Sequence, residues 1–203
     1  MRRIAIIGSG GSGKSVLARQ LGERLGLPVI HLDRYFWRPG WVETPLAEWR
    51  ARQEQLVVAD EWIVDGNHQP TLDIRLRRAD TIILVDEPRR VCLWRAFRRS
   101  LIYRGRPRTD RAEGCDERLD RTFLRFIWTY PSAGLPAALS SIEQHAPNAA
   151  LIRLRGRHAV RDFVAGLPAP GAAPGQMEAK PNGPTEAKAP SPMEANSDGL
   201  GDG

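Results

Sequence analysis

Residues Gly8 to Ser15 read Gly-Ser-Gly-Gly-Ser-Gly-Lys-Ser, and they fit the phosphate-binding pattern G-x-x-x-x-G-K-[ST] at every fixed position. Arg2 to Ile7, just before them, is a short apolar run of strand type. Just after them, Leu17, Leu21 and Leu25 recur on one face of a helix expected from Ser15 to Leu25. Strand, glycine loop and helix start therefore stand in the order that aims backbone N–H groups and a positive helix end at one anion. Gly8, Gly10, Gly11 and Gly13 let the chain turn tightly there, with Ser9, Ser12 and Val16 completing the loop. In this pattern Lys14 reaches the β- and γ-phosphates of a nucleoside triphosphate and the Ser15 hydroxyl ligates Mg²⁺.

A second feature points at the same lysine. From Met1 to Leu167 the only Lys is Lys14, every other fixed side-chain cation being Arg. A general bias toward arginine does not explain why the exception falls where a compact ammonium on a flexible stem is the required group.

The 203 residues carry a net charge of +6, but the charge is uneven. Residues 168 to 203 hold two Lys against five Asp or Glu, which leaves about +9 on residues 1 to 167. Such a surface suits nucleotides, phosphorylated metabolites or nucleic acid. Two cysteines, Cys92 and Cys115, make neither a disulfide framework nor a zinc site, and both read as reduced thiols. No apolar run has transmembrane length and no signal peptide is evident, so the expected location is the cytoplasm.

Further along, strands are expected at Leu27 to Leu32, Trp62 to Val64, Thr81 to Val85 and Ala150 to Leu154. Residues 34 to 44 are aromatic and basic, contain Pro39-Gly40, and are expected to be loop. A helix follows, with Thr44 as N-cap and Leu46, Trp49, Leu56 and Val57 as its apolar side. Residues 71 to 79 read as a short arginine-rich helix or turn. Pro88 opens another helix whose stripe Val91, Trp94, Phe97 and Leu101 is expected to face the core. Residues 103 to 116 are dense in arginine without apolar periodicity, as in a flap. Helices are expected at Glu117 to Trp128, Leu135 to His145 and Ala159 to Gly166. Beyond Pro168 the composition turns to Pro, Gly, Ala and Ser with a rough eight-residue repeat, which predicts a disordered tail over 168 to 203.

Strands alternating with helices predict an α/β fold of three layers, a five-stranded parallel sheet with helices on both faces. Ligands bind such sheets beyond the carboxyl ends of the strands, where Asp33, Asp65 and Asp86 are all expected to stand. One carboxylate at this edge would hold Mg²⁺ through its water shell, and a second would serve an acceptor hydroxyl. Asp86, followed by Glu87-Pro88, best fits a plain helix-start aspartate.

These residues resemble the adenylate-kinase-like P-loop kinases. Within them the chain looks like the small bacterial proteins labelled topology modulation protein. The motifs concerned are His31-Leu32-Asp33, Trp37-Arg38-Pro39-Gly40-Trp41, Asp65-Gly66-Asn67, Cys92-Leu93-Trp94-Arg95 and Gly114-Cys115-Asp116-Glu117-Arg118. The resemblance covers about residues 2 to 165. It implies that Asp65 holds a Mg²⁺-bound water, that Arg95 and Arg99 clamp the transferring phosphoryl group, and that residues 103 to 118 form a lid over ATP with Arg118 near its hinge. It also implies that Gly156 lies beside the adenine and that residues 34 to 60 are a short acceptor-side insertion. Nucleoside monophosphate kinases follow Asp-Gly with a Phe-Pro-Arg whose arginine binds the acceptor phosphate. Here Asn67-His68-Gln69 follows, leaving Arg75 and Arg38 as substitutes. Asp33 resembles the carboxylate that takes the hydroxyl proton in P-loop kinases of small hydroxyl compounds.

The expected activity is phosphoryl transfer from ATP, with Mg²⁺, to a nucleoside, nucleotide or other hydroxyl compound. The alternative is a P-loop NTPase acting as a nucleic-acid-linked regulator through the arginines from Arg95 to Arg111. It is disfavoured because those arginines already serve triphosphate charge, and the aromatics Tyr35, Phe36, Trp37 and Trp41 cluster elsewhere.

Overall fold

The first strand, β1 (Arg3–Gly8), sits at the centre of the sheet and is buried on both faces from Ile4 onward. That burial explains why its apolar residues run continuously instead of alternating. The computed structural model describes residues 1–103, 112–115 and 119–168, all within one compact unit that spans Met1–Ala173. After β1 and the glycine loop come α1 (Lys14–Leu25) and β2 (Val29–His31). A four-residue helix α2 (Asp33–Phe36) leads into a hairpin of β3 (Trp37–Arg38) and β4 (Val42–Glu43), then α3 (Leu46–Leu56) and β5 (Trp62–Asp65). The chain continues through α4 (Leu72–Leu76), β6 (Thr81–Asp86), α5 (Arg89–Ile102), α6 (Arg121–Thr129), α7 (Leu135–His145), β7 (Ala150–Arg155) and α8 (Gly156–Ala165).

The sheet has the order β2-β5-β1-β6-β7, and all its pairings are parallel. Its period of two sends alternate residues to opposite layers. Ile4 and Ile6 join Leu17 and Leu21 of α1, Ile63, Ile83 and Leu154 on one face. Ala5 and Ile7 join Trp49 of α3, Trp62, Leu72 and Leu76 of α4, and Ala138 and Ile142 of α7 on the other. Three layers with a five-stranded parallel sheet are thus as the sequence predicts.

Register sets the functional edge. Ile6 pairs with Asp65, His31 also pairs with Asp65, and Gly8 pairs with Val85. Three strands therefore end in step just below the glycine loop.

Four expectations are corrected. Residues 34 to 44 are not simply loop, because Gly40 and Trp41, both at positive φ, turn the chain between β3 and β4. Thr44 does not cap α3. Its backbone N–H and its hydroxyl both donate to the Phe36 carbonyl, and Pro45 takes the N-cap position with no side-chain cap. On α5 the buried residues are Cys92 and Ala96, while Trp94, Phe97 and Leu101 are exposed. The packing partner explains this: Cys92, Ala96 and Ile127 form a third small cluster, directly against the glycine loop. The fourth concerns Asp86, which is no helix-start residue; it accepts from the Arg153 guanidinium at 2.7 and 3.0 Å across the parallel pair β6 and β7, and α5 starts at Pro88 without a side-chain cap. The lid over 103 to 118, apart from Tyr103 and Ala112 to Cys115, and the tail beyond Pro168 lie outside the described residues.

Candidate active site

The loop closes at Gly13, which has φ +97° and forms the N-cap of α1 with no capping side chain. Only glycine adopts that backbone without strain, and the uncapped first turn points its partial positive charge at whatever the loop encloses. A cleft of about 180 Å³ opens there, lined by Gly11, Gly13, Lys14, Ser15, Val16, Arg19, Arg95 and Arg99. Lys14 Nζ donates to the Ser9 carbonyl at 3.3 Å. Arg95, from α5, donates to the Ser12 carbonyl and to Glu87 Oε1, both at 3.2 Å, so one guanidinium braces the loop and is itself aimed by a buried carboxylate. Arg99 lies one helical turn further along, its guanidinium 5.7 Å from the Phe123 ring centroid. Four cations around one uncapped helix start form a site for a polyanion.

The Ser12 hydroxyl, buried in this loop, has no hydrogen-bond partner among the described residues. A phosphate oxygen would satisfy it, since a buried unpaired donor is costly. Gly8 donates its N–H to Asn67 Oδ1 at 3.3 Å, and Gly10 packs against the Phe123 ring. Behind the loop, Ser15 Oγ donates to Asp65 Oδ2 at 2.6 Å. Asp65 Oδ1 accepts from His31 Nδ1 at 2.5 Å, a pair that is almost completely buried. Because a carboxylate only accepts, the imidazole proton sits on Nδ1. Ser15 and Asp65 are two hard oxygen ligands side by side. Among the described residues there is no cluster of three or more His, Cys, Asp or Glu that could hold a metal ion. The pair fits Mg²⁺, which takes one or two protein oxygens and fills the rest of its shell from water and phosphate.

Asp33 heads α2 and pairs with His68, whose Nε2 lies 3.0 Å from Asp33 Oδ1. Around this pair the Phe36, Trp37 and Trp41 rings pack edge-on, and Phe36 also meets Trp49 and His68. Gly156, at φ +75°, is the first residue of α8 directly after β7. Arg118 lies outside the described residues. Cys92 is buried, and burial pushes its thiol up to about 11, so it is inert.

Of the two substitutes for an acceptor-phosphate arginine, Arg75 is ruled out. Arg75 is fully buried and spends its guanidinium on the Gly66 and Asn67 carbonyls and on Gln53 Oε1. Burial pulls it down to about 9, which still leaves it protonated at neutral pH. Arg38 is paired with Glu48 at 2.5 Å, but both side chains are half exposed, and such a surface pair leaves Arg38 able to turn to a ligand.

Sequence reasoning missed Arg19, Asn67 and Glu87, and gave His31 and His68 no partner. Arg19 is one turn beyond Ser15 on the same helix face, a spacing that could have found it. Glu87 and Asn67 carry no comparable signal.

No protein-family model matches this sequence, and no curated protein matches it. Solved structures do. Shikimate kinase from Acinetobacter baumannii, in complex with shikimate, superposes with a TM-score of 0.54 at 16% identity, over 81% of this chain and 89% of that one. The chain shares the three-layer α/β fold of that kinase. A gluconokinase from Sinorhizobium meliloti 1021 superposes more loosely, with a TM-score of 0.48 at 16% identity over 81% of this chain and 90% of that one. At such identity the likeness to the shikimate kinase speaks to the fold alone, and the chemistry rests on the side chains described above.

Proposed function

We propose that the protein is an ATP-dependent kinase that transfers the γ-phosphoryl group to the hydroxyl of a small compound. The observation that carries this reading is the convergence of Lys14, Arg19, Arg95 and Arg99 on one cleft at the start of α1, with Ser15 and Asp65 behind it. Transfer of a phosphoryl group needs charge neutralised and atoms positioned more than it needs covalent chemistry. Lys14 serves the β- and γ-phosphate oxygens, and Arg95 and Arg99 take up charge that develops on the transferring group. Ser15, and Asp65 through a water, would hold Mg²⁺, which would supply positive charge against the phosphates. His31 fixes the orientation of Asp65.

On the acceptor side the chain offers a carboxylate, Asp33, and has Arg75 committed elsewhere. A hydroxyl loses its proton as its oxygen attacks phosphorus, and Asp33 is the group to receive it. A phosphate acceptor would need no base and would need a guanidinium.

The motifs around Trp37-Arg38-Pro39-Gly40-Trp41 and Cys92-Leu93-Trp94-Arg95 support placing the chain in the topology modulation protein branch of this fold. No helix among the described residues is long and apolar enough to cross a membrane, and we place the protein in the cytoplasm. A body over residues 1 to 167 with a tail over 168 to 203 is part of the same reading. Melting temperature in the presence of a non-hydrolysable ATP analogue, measured against nucleosides, nucleotides, sugars and hydroxy acids, tests it directly, because a ligand that binds only the native state raises apparent stability. The reading expects stabilisation by the analogue with Mg²⁺, a further rise with a hydroxyl compound, and turnover of ATP with that compound. Absence of any stabilisation by the analogue overturns it.

A further inference from the structure

The turn that follows β5 is braced by buried side chains at three successive carbonyls. Arg75 Nη2 donates to the Gly66 carbonyl at 2.9 Å and to the Asn67 carbonyl at 2.5 Å. Thr71 donates to the His68 carbonyl through both its hydroxyl, at 3.2 Å, and its N–H, at 3.1 Å. Gln53, fully buried, links the two donors: it accepts from Arg75 and donates to the Thr71 hydroxyl. This network holds His68 at φ 29° and ψ 64°, left-handed backbone that a non-glycine residue rarely adopts. Such a conformation is strained and persists only where its surroundings enforce it.

The strained backbone delivers one particular contact. The His68 side chain, only 11% exposed, packs against Phe36 and Trp49, with ring centroids 4.4 and 5.2 Å away. From that wall its Nε2 reaches Asp33 Oδ1 at 3.0 Å, while the Asp33 side chain is 53% exposed. An ordinary surface ion pair joins two mobile side chains and contributes little. Here one partner is fixed in the aromatic wall by packing and by the braced turn, and the exposed carboxylate is held to it.

We infer that His68 is the positioning residue of the acceptor-side carboxylate: its Nε2–H fixes Asp33 in the orientation that receives the acceptor's proton. The inference rests on the hydroxyl-acceptor reading above. It assigns the braced turn a double task, with Asp65 at its start serving the metal and His68 at its end serving the acceptor. The His68 ring meets Asp33, Phe36 and Trp49, so on this inference its loss shows in kcat and leaves ATP binding alone.

The test uses the full-length chain with isotope-labelled histidine, alongside His68→Phe, which keeps the ring packing and removes the donor, and His68→Gln, whose amide nitrogen can take the place of Nε2. At mildly alkaline pH the imidazole NMR signal that vanishes in both His68 variants should report the Nε2–H tautomer and should move in Asp33→Asn. With adenosine, shikimate and D-gluconate as probe acceptors, His68→Phe should lose about tenfold or more in kcat for whichever is phosphorylated. KM for ATP should be unchanged and His68→Gln should recover much of the rate. An Nδ1–H tautomer, or a signal indifferent to Asp33→Asn, overturns the inference. So does full transfer by His68→Phe where Asp33→Asn is inactive. Should no probe be phosphorylated, the kinase reading loses support, and the imidazole spectrum still decides the pairing.

Discussion

The glycine loop rests directly on α5: a Cβ placed on Gly11 would stand 2.3 Å from the carbonyl oxygen of Cys92. This approach fixes which face of α5 is buried. The residues that α5 buries are the small Cys92 and Ala96. The same helix carries Arg95 and Arg99 into the cleft, so loop and clamp are set by one contact.

Gly11→Ala should therefore be far worse than a glycine-to-alanine change in an open turn. The residue has φ +74°, and the added methyl meets backbone that cannot rotate away. We expect a loss of about 2–4 kcal/mol in urea denaturation and a large fall in ATP affinity. Gly26→Ala, also at positive φ but with open space around it, is the control and should cost about 1 kcal/mol with ATP affinity intact. Equal effects at the two positions would refute the close-approach account.

That contact also marks where the sequence stops being legible. The central strands were readable because full burial makes them continuous apolar runs, and the loop because its pattern is fixed. On α5 periodicity pointed to Val91, Trp94, Phe97 and Leu101 as core, since apolar spacing says that a face exists and not what packs against it. Cys92 and Ala96 won because a backbone needed room, which no hydrophobic pattern records. Arg75 was one of several arginines in a short segment, and its composition does not separate it from Arg77 or Arg78; its burial follows from the Gly66 and Asn67 carbonyls that the turn eight and nine residues upstream presents to it. The Asp33 and His68 pair depends on positive φ at a histidine, and left-handed backbone is foreseeable in sequence mainly at glycine. Thr44 carried a helix-cap signal and went instead to the Phe36 carbonyl, because the hairpin brings that oxygen closer.

Lys14→Ala should abolish ATP turnover with the fold intact, since the ammonium lies in the cleft and packs against no core cluster. Lys14→Arg should fail nearly as badly, because a planar fork does not fit a loop shaped around a point charge. Turnover within a few fold of wild type in either variant, with an unchanged far-ultraviolet spectrum and melting temperature, would exclude the proposed role.

Removing the buried guanidinium tests the brace. Arg75→Met keeps much of the volume but leaves the Gly66 and Asn67 carbonyls without their buried donor. Each unsatisfied buried group costs about 1–3 kcal/mol, so the variant should lose roughly 3 kcal/mol or more. Arg77→Ala, in an exposed pair with Asp73 at 3.5 Å, should change stability by no more than about 0.5 kcal/mol. Similar melting temperatures for the two variants would contradict the arrangement.

Deleting residues 168 to 203 should change neither melting temperature nor ATP affinity, because a Pro-, Gly- and Ala-rich segment with hardly an apolar side chain has little to bury. A drop of several degrees would place the boundary elsewhere.

Asp33 decides what kind of acceptor the site serves. A phosphate acceptor arrives with an anionic oxygen and needs guanidinium groups to hold it, and the buried Arg75 is committed to carbonyls. A hydroxyl acceptor must shed a proton while its oxygen attacks, and a carboxylate held in place lowers that barrier. Asp33→Asn keeps size and the capacity to accept a hydrogen bond, yet no longer takes a proton. It should lower kcat for transfer by roughly a hundredfold or more, with ATP binding little changed. If Asp33 served the metal instead, the same change would weaken Mg²⁺ binding along with turnover, which a metal titration distinguishes. Ready phosphorylation of a nucleoside monophosphate by wild type and by Asp33→Asn alike would show that no base is needed, and the acceptor would then be a phosphate.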